Sequence, residues 1–511
     1  MPTSHGRGDP PRRLADDLER RLAPLDRQIL LAEWRQAVGR PAHLAPIQTA
    51  RARLLGPPEV LDAIRTARSR GSSGTVRRKL ELLERVVLQC RIEQAPEIVR
   101  RRVPLEEREA RFRPRWHGRR VGRAIPRKAI TQDPDRAERE RAYRVEEPLY
   151  RPMEDDLRQL VADRNARARE FGYRSYPDYH LRFEGLTVPR MRELIESALR
   201  YVRPEMRRQR DAFEDRFHER GWYPWDRWYF ARQEGRLPDS AFPARTLLTE
   251  VTSSVRRWGF SPSALRFRVN RHDLSSGGLC IAPDPPRDVR IVVHPSTSWF
   301  STIALFHEVG HALSSRSIRQ PSSHLLRWHE HVPGFAAAAE GQGRFFEQVP
   351  ISEAWLRSRP WIRPEIVDAA VVTARRFPLA ALGSLASWVL PELELYEHPG
   401  RDPRAEMRRV ARSIFGFDEF EPRSFADAFS VGNPCYSLSY VIAELLWPIH
   451  KKAVLEAVGG ELWPNPRIGP WFVDRWFREG SAYDWWTRLK EITGRPFDTR
   501  AFNDEMRAVG G

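Results

Sequence analysis

Residues 303–313 read Ile-Ala-Leu-Phe-His-Glu-Val-Gly-His-Ala-Leu. His307 and His311 stand four apart, so on a helix both imidazoles leave one face and can meet on one ion. Glu308 lies about 100° round the same helix. From there it reaches a water on that ion rather than the ion itself, which is the place of a general base. Leu305, Phe306, Val309, Ala312 and Leu313 make the rest of the segment apolar, which predicts a buried helix. In a chain of 511 residues with 14 histidines, chance supplies this His-Glu-x-x-His pattern only about 0.03 times.

A catalytic zinc takes three protein ligands and keeps one position open. A third histidine six residues beyond His311 is excluded, because position 317 is Ser. Glutamates further along are the candidates: Glu330, Glu340 and Glu347. Glu330 sits just before a Pro-Gly break, where a helix is not expected. Glu340 sits in GFAAAAEGQGRFFEQV (334–349), a good helix apart from Gly341 and Gly343. Each glycine costs about 1 kcal/mol inside a helix. The cost makes sense if this helix presses closely on the one carrying His307. Glu340 is therefore expected as the third ligand of one zinc per chain. Glu347 lies two turns later on the same face, where it can hold a histidine N–H from behind.

Working outward, residues 265–295 read LRFRVNRHDLSSGGLCIAPDPPRDVRIVVHP. Their β-branched runs, Gly-Gly pair and Pro-Pro turn predict a small antiparallel β-sheet beside the HExxH helix. A short extended segment with a turn at Gly118 is expected near 111–125. Most of the rest has helical spacing, over 14–38, 78–90, 137–171, 188–217 and 245–258. The fold class is mainly α. Residues 1–12 read as a disordered tail and 13–511 as one unit, with 13–260 mainly an N-terminal helical lobe and 261–511 the zinc-containing part.

Composition sets the outer bounds. Hydrophobic residues make up 41% and aromatic residues 10%, enough for a substantial core. No apolar stretch reaches 18 residues, so no membrane partner is expected. The N-terminus lacks an apolar signal segment, and three cysteines do not make a disulfide framework. A cytoplasmic enzyme is the expectation. The net charge is +18, and only five of the 86 basic residues are lysine. Residues 111–128 carry eight basic residues and no acid. No recognition motif accompanies that run, which leaves nucleic-acid binding a minor reading. Elsewhere arginine and carboxylate interleave, as on solvated helix faces.

The pair FHEVGHAL (306–313) and EGQGRFFE (340–347) resembles the gluzincin metallopeptidases. The nearest are the oligoendopeptidase F and thimet oligopeptidase family; the carboxypeptidase Taq and angiotensin-converting enzyme families are more distant. Residues 160–179, 224–230 and 277–293 extend the likeness, and NPCYSLSYVIAELL (433–446) resembles the helix that carries the family's transition-state tyrosine. The resemblance implies a large two-lobed, neurolysin-like helical fold and a zinc held by His307, His311 and Glu340. It implies hydrolysis of oligopeptides by a zinc-activated water, with Glu308 as base and Tyr440 or Tyr436 as oxyanion donor. It also implies an extended substrate paired to the strand Gly278, Leu279, Cys280, Ile281. One departure is that the family's histidine before the tyrosine helix has no counterpart in DAFSVGN (427–433). That makes a zinc-binding but non-catalytic, peptide-binding or chaperone-like protein the alternative.

Overall fold

The computed structural model describes residues 9–510 except 72–73, 235–236, 243, 273, 275–276, 296–297, 320–322, 328–331, 421 and 423–430. Glu330 and most of 427–433 thus lie outside the described residues, as does most of the expected tail. Residues 10–12 of that tail are helical: Pro10 and Pro11 open the first helix, Pro10–Ala37, where proline's missing N–H costs nothing.

The chain is mainly α, as its periodicity requires. The expected helix over 188–217 spans Val188–Phe217, capped by the Thr187 side chain. The expected helix over 137–171 is instead broken into Arg136–Arg144, Glu147–Tyr150 and Glu154–Glu170. Pro148 and Pro152 explain the breaks, since each removes a backbone donor and crowds the preceding turn. Arg115–Trp116 and Arg119–Arg120 form a two-stranded hairpin turning at Gly118, whose φ is +78°.

The larger sheet corrects the expectation of an antiparallel one. It has three strands, with Asp288–Val293 in the middle. Gly278–Asp284 pairs with that strand antiparallel, but Arg268–Arg271 pairs with it parallel. The reason is burial. Val289 through Val293 are all buried, so this most apolar strand takes the centre and separates its two predecessors. Gly278–Asp284 is left on the edge.

Three helices carry the candidate site. Trp299–Ser317 is the HExxH helix, capped by Ser298. Ala336–Glu347 is the glutamate helix and Tyr436–Val458 the tyrosine helix. The glutamate helix lies between the other two, and its glycines make that possible. A Cβ on Gly343 would come 2.6 Å from His307 Nδ1, and one on Gly341 would come 2.7 Å from Leu446 of the tyrosine helix. Among the described residues the largest apolar cluster runs from Ala15 to Met506.

Candidate metal centre

The HExxH helix is buried as its sequence demands: Leu305, Phe306, Val309, Ala312 and Leu313 are all in the core. Its polar residues face one another across a small space. His307 Nε2 lies 2.9 Å from His311 Nε2 and 3.1 Å from Glu340 Oε2. His311 Nε2 lies 3.9 Å from the same oxygen. The structure therefore brings together the three residues expected as ligands.

The hydrogen-bond pattern tests whether a cation fits. Glu347 Oε1 lies 2.7 Å from His307 Nδ1. Burial favours the neutral form of Glu347, but the charges of Arg344 and His307 outweigh it and hold this carboxyl below its usual range. An ionised carboxylate only accepts, so His307 Nδ1 carries a proton toward Glu347, and the two carboxylates hold the metal-free ring charged against its burial; a cation at Nε2 takes the place of the second proton. Burial also opposes the charge of Glu340, yet bonding to His307 and the charges of both imidazoles hold it at about 2. Its buried Oε2 accepts no well-aligned hydrogen bond. His307 Nε2, His311 Nε2 and Glu340 Oε2 thus converge on one buried point that a positive charge already occupies, and a metal cation can replace that proton there. Two imidazoles and one carboxylate suit zinc with an open position.

Behind His307 lies a network that sequence reading missed. Arg344 Nη1 donates to Glu347 Oε2 at 2.8 Å, and Arg344 Nε lies 2.9 Å from Glu444 Oε1. The only sequence signal is spacing: Arg344 is three residues from Glu347, and Glu444 is four from Tyr440.

Glu308 is 7% exposed and reaches the edge strand. Burial raises its pKa to about 7, against the lowering effects of His307 and a hydrogen bond from the Cys280 backbone. A Cβ on Gly278 would sit 2.8 Å from Glu308 Oε1, so glycine is what allows this approach. Next along, Leu279 is 39% exposed on the sheet edge, whereas Cys280 and Ile281 are buried.

The tyrosines occupy one face of their helix and are only partly exposed, while Ser437, Leu438 and Ser439 between them are buried. Cys435 precedes them in a left-handed conformation, φ 63°, with its N–H donating to Glu392 Oε1 at 2.9 Å. Tyr436 Oη donates to Glu340 Oε1 at 2.6 Å, so that hydroxyl is engaged with the third ligand. Tyr440 packs edge-on to Tyr436 at 5.4 Å. Burial and the neighbouring Glu340 carboxylate push the Tyr440 hydroxyl well above 10, so it stays a neutral donor at pH 7.

No protein-family model and no curated protein matches the chain. Solved structures do. An M32 carboxypeptidase from Deinococcus radiodurans R1 matches with a TM-score of 0.68 and 15% identity, over 98% of this chain and 99% of that one. The fold is that of the M32 metallocarboxypeptidases. Metallocarboxypeptidase 1 of Trypanosoma cruzi matches at 0.66 and 14% identity over 97% and 99%. A Pyrococcus furiosus carboxypeptidase matches at 0.65 and 16% identity, over 99% of each chain. The matched folds are thus on the carboxypeptidase Taq side of the resemblance, the branch expected to be more distant. Nothing found supports the oligoendopeptidase F and thimet assignment.

Proposed function

We propose that the chain is a zinc-dependent peptidase acting on oligopeptides, and that it removes residues from the C-terminus. The observation that carries the reading is the convergence of three ligand atoms on one point, with Glu308 beside it. The carboxypeptidase names of the matched structures favour C-terminal action over internal cleavage. A zinc ion held by His307, His311 and Glu340 would polarise the scissile carbonyl and bring a water's pKa towards about 7.

The chain's own residues supply the rest. Glu308, with a pKa of about 7, accepts a proton from the attacking water and delivers it to the leaving nitrogen. Glu347 fixes the His307 ring and its tautomer, and Arg344 holds Glu347 in turn. Tyr440, a neutral donor beside Glu340, donates to the developing oxyanion, while Tyr436 stays on Glu340 Oε1. The outer edge of Gly278–Asp284 offers an extended peptide a strand to lie along, and Leu279 offers it an apolar contact.

The oligopeptide remains the proposed partner and the cytoplasm the proposed compartment. Among the described residues no helix is long and apolar enough to cross a membrane. Ion pairs from the basic run favour a structural use of its charge over nucleic-acid binding: Arg123 meets Glu109 and Glu146, and Arg127 shares Glu146.

A digest of mixed peptides read by mass spectrometry, with and without chelator, tests the proposal. Successive single-residue losses from the C-terminus, abolished by chelator, are expected. Internal fragments would replace C-terminal action with endopeptidase action, and peptide binding without cleavage would favour the non-catalytic alternative. Glu308→Gln should keep zinc and lose about 10²–10⁴ in rate; normal turnover by this variant would remove Glu308 from the base role.

A further inference from the structure

A second cavity, of about 500 Å³, opens between helices Pro224–Gln233, Pro364–Glu397 and Pro403–Phe415. It shares no residue with the metal centre. Its walls are aromatic, with Trp228, Trp388, Phe415, Phe417 and Phe420 prominent. Among the described residues its lining contains two arginines, Arg127 and Arg227, and no carboxylate. Arg127 is already paired with Glu146. Arg227 has no acidic partner among the described residues.

Arg227 is 7% exposed. Its Nη2 donates to Ala380 O at 3.1 Å and to Ser384 Oγ at 2.9 Å. Its buried Nε meets no acceptor. Its guanidinium stands 4.4 Å from the Phe415 ring centroid, and no carboxylate of the described residues forms an ion pair with it. Every other buried arginine among the described residues has an acidic partner: Arg139 has Asp226, Arg164 has Glu93 and Arg404 has Glu154, for example. A buried cation without a counter-charge is costly. Among the described residues the chain meets that cost at every buried arginine except Arg227, which lines an apolar cavity.

We propose that this cavity is a binding site for a monocarboxylate with an aromatic or branched apolar body, the carboxylate pairing with Arg227 and the body packing on the aromatic walls. One guanidinium without an acidic partner among the described residues matches one negative charge, and its Nε–H, which meets no acceptor, can donate to a carboxylate oxygen. A compact anion such as phosphate would leave the aromatic walls unfilled. The volume is within the range of small-molecule sites.

Calorimetric titration of the full zinc-loaded chain tests this with 3-phenylpropionate, its neutral amide and inorganic phosphate. The acid is expected to bind about 10–100-fold more tightly than the amide, the worth of a charge-assisted hydrogen bond. Phosphate at equal concentration is expected not to displace it. Arg227→Met should erase the preference for acid over amide while zinc content and thermal unfolding stay near wild type. Trp228→Ala, at a side chain 49% exposed, should weaken acid and amide alike and leaves the fold intact if Arg227→Met does not. Equal binding of acid and amide, binding of neither, or displacement by phosphate would overturn the proposal. So would acid binding that survives Arg227→Met, since the carboxylate would then sit at the metal.

Discussion

Asp226 and Glu340 are both carboxylates withdrawn from water, at 0% and 4% exposure. They are treated in opposite ways. Asp226 receives Arg136 at 2.6 Å and Arg139 at 2.9 Å, both from the helix Arg136–Arg144. Tyr223 stacks on Trp225 beside it, and Arg139 lies 4.2 Å from the Tyr229 ring. This region settles its charge with its own residues. At Glu340 the chain brings up two imidazoles and a tyrosine hydroxyl, and among the described residues no arginine or lysine pairs with it. The comparison teaches that burial of an acid does not mark a functional site. The mark is burial that the chain leaves electrostatically incomplete.

Exchanging the acids for amides breaks the comparison most sharply. Glu340→Gln should reduce zinc from one ion per chain to almost none, with little change in the metal-free unfolding temperature. Asp226→Asn should do the reverse, keeping zinc and costing about 3 kcal/mol in unfolding free energy, because Arg139 keeps only the more distant Glu219. Elemental analysis and denaturant titration of both variants decide. If Asp226→Asn also loses zinc, the two regions are coupled and the contrast fails.

The next effect concerns the two tyrosines beside Glu340. Tyr440→Phe should lower turnover by about 10²–10³ with zinc content unchanged. Tyr436→Phe should instead act through the ligand it bonds, weakening zinc retention more than turnover at saturating zinc. If both variants turn over normally, another segment supplies the oxyanion donor.

A smaller effect tests the close approach of the helices. Gly343→Ala places a methyl group against the His307 ring and should weaken zinc affinity by about 10–100-fold, the usual scale for disturbing a ligand's support. Competition with a zinc-binding dye measures it; affinity equal to wild type would show that His307 can shift without loss.

The smallest expected effect is a slope in pH. Glu184 is buried and accepts from Trp485 Nε1 at 2.7 Å and from the Ala337 N–H at the start of the glutamate helix. Burial raises its pKa from 4.5 to about 7 despite those bonds. The folded chain therefore holds this proton between pH 4.5 and 7 while the unfolded chain releases it, and stability falls as pH rises through that window. Glu184→Gln should flatten that part of the profile, gaining most over wild type at pH 8 and least at pH 5. Thermal unfolding across the range checks this, and a constant difference would refute it.

Residues three, four or seven apart on one helix settle their own relative placement, because the helical repeat is local. For that reason His307, Glu308 and His311, the Glu340–Glu347 face and the Tyr436–Tyr440 face could all be read from the sequence before any fold was known. The glycines at 341 and 343 even announced close packing. What lay between the segments could not be read. Strand order depends on which run is most apolar in its final surroundings, so the sheet came out mixed. The Arg344–Glu444 pair joins residues 100 positions apart, and Arg227 is notable only for a partner it lacks. The branch could not be read for the same reason, because His-Glu-x-x-His and its distant glutamate are common to the whole gluzincin group. Local periodicity fixed the chemistry each helix can offer; only tertiary packing decided which charges find partners within the chain and which are left for a ligand.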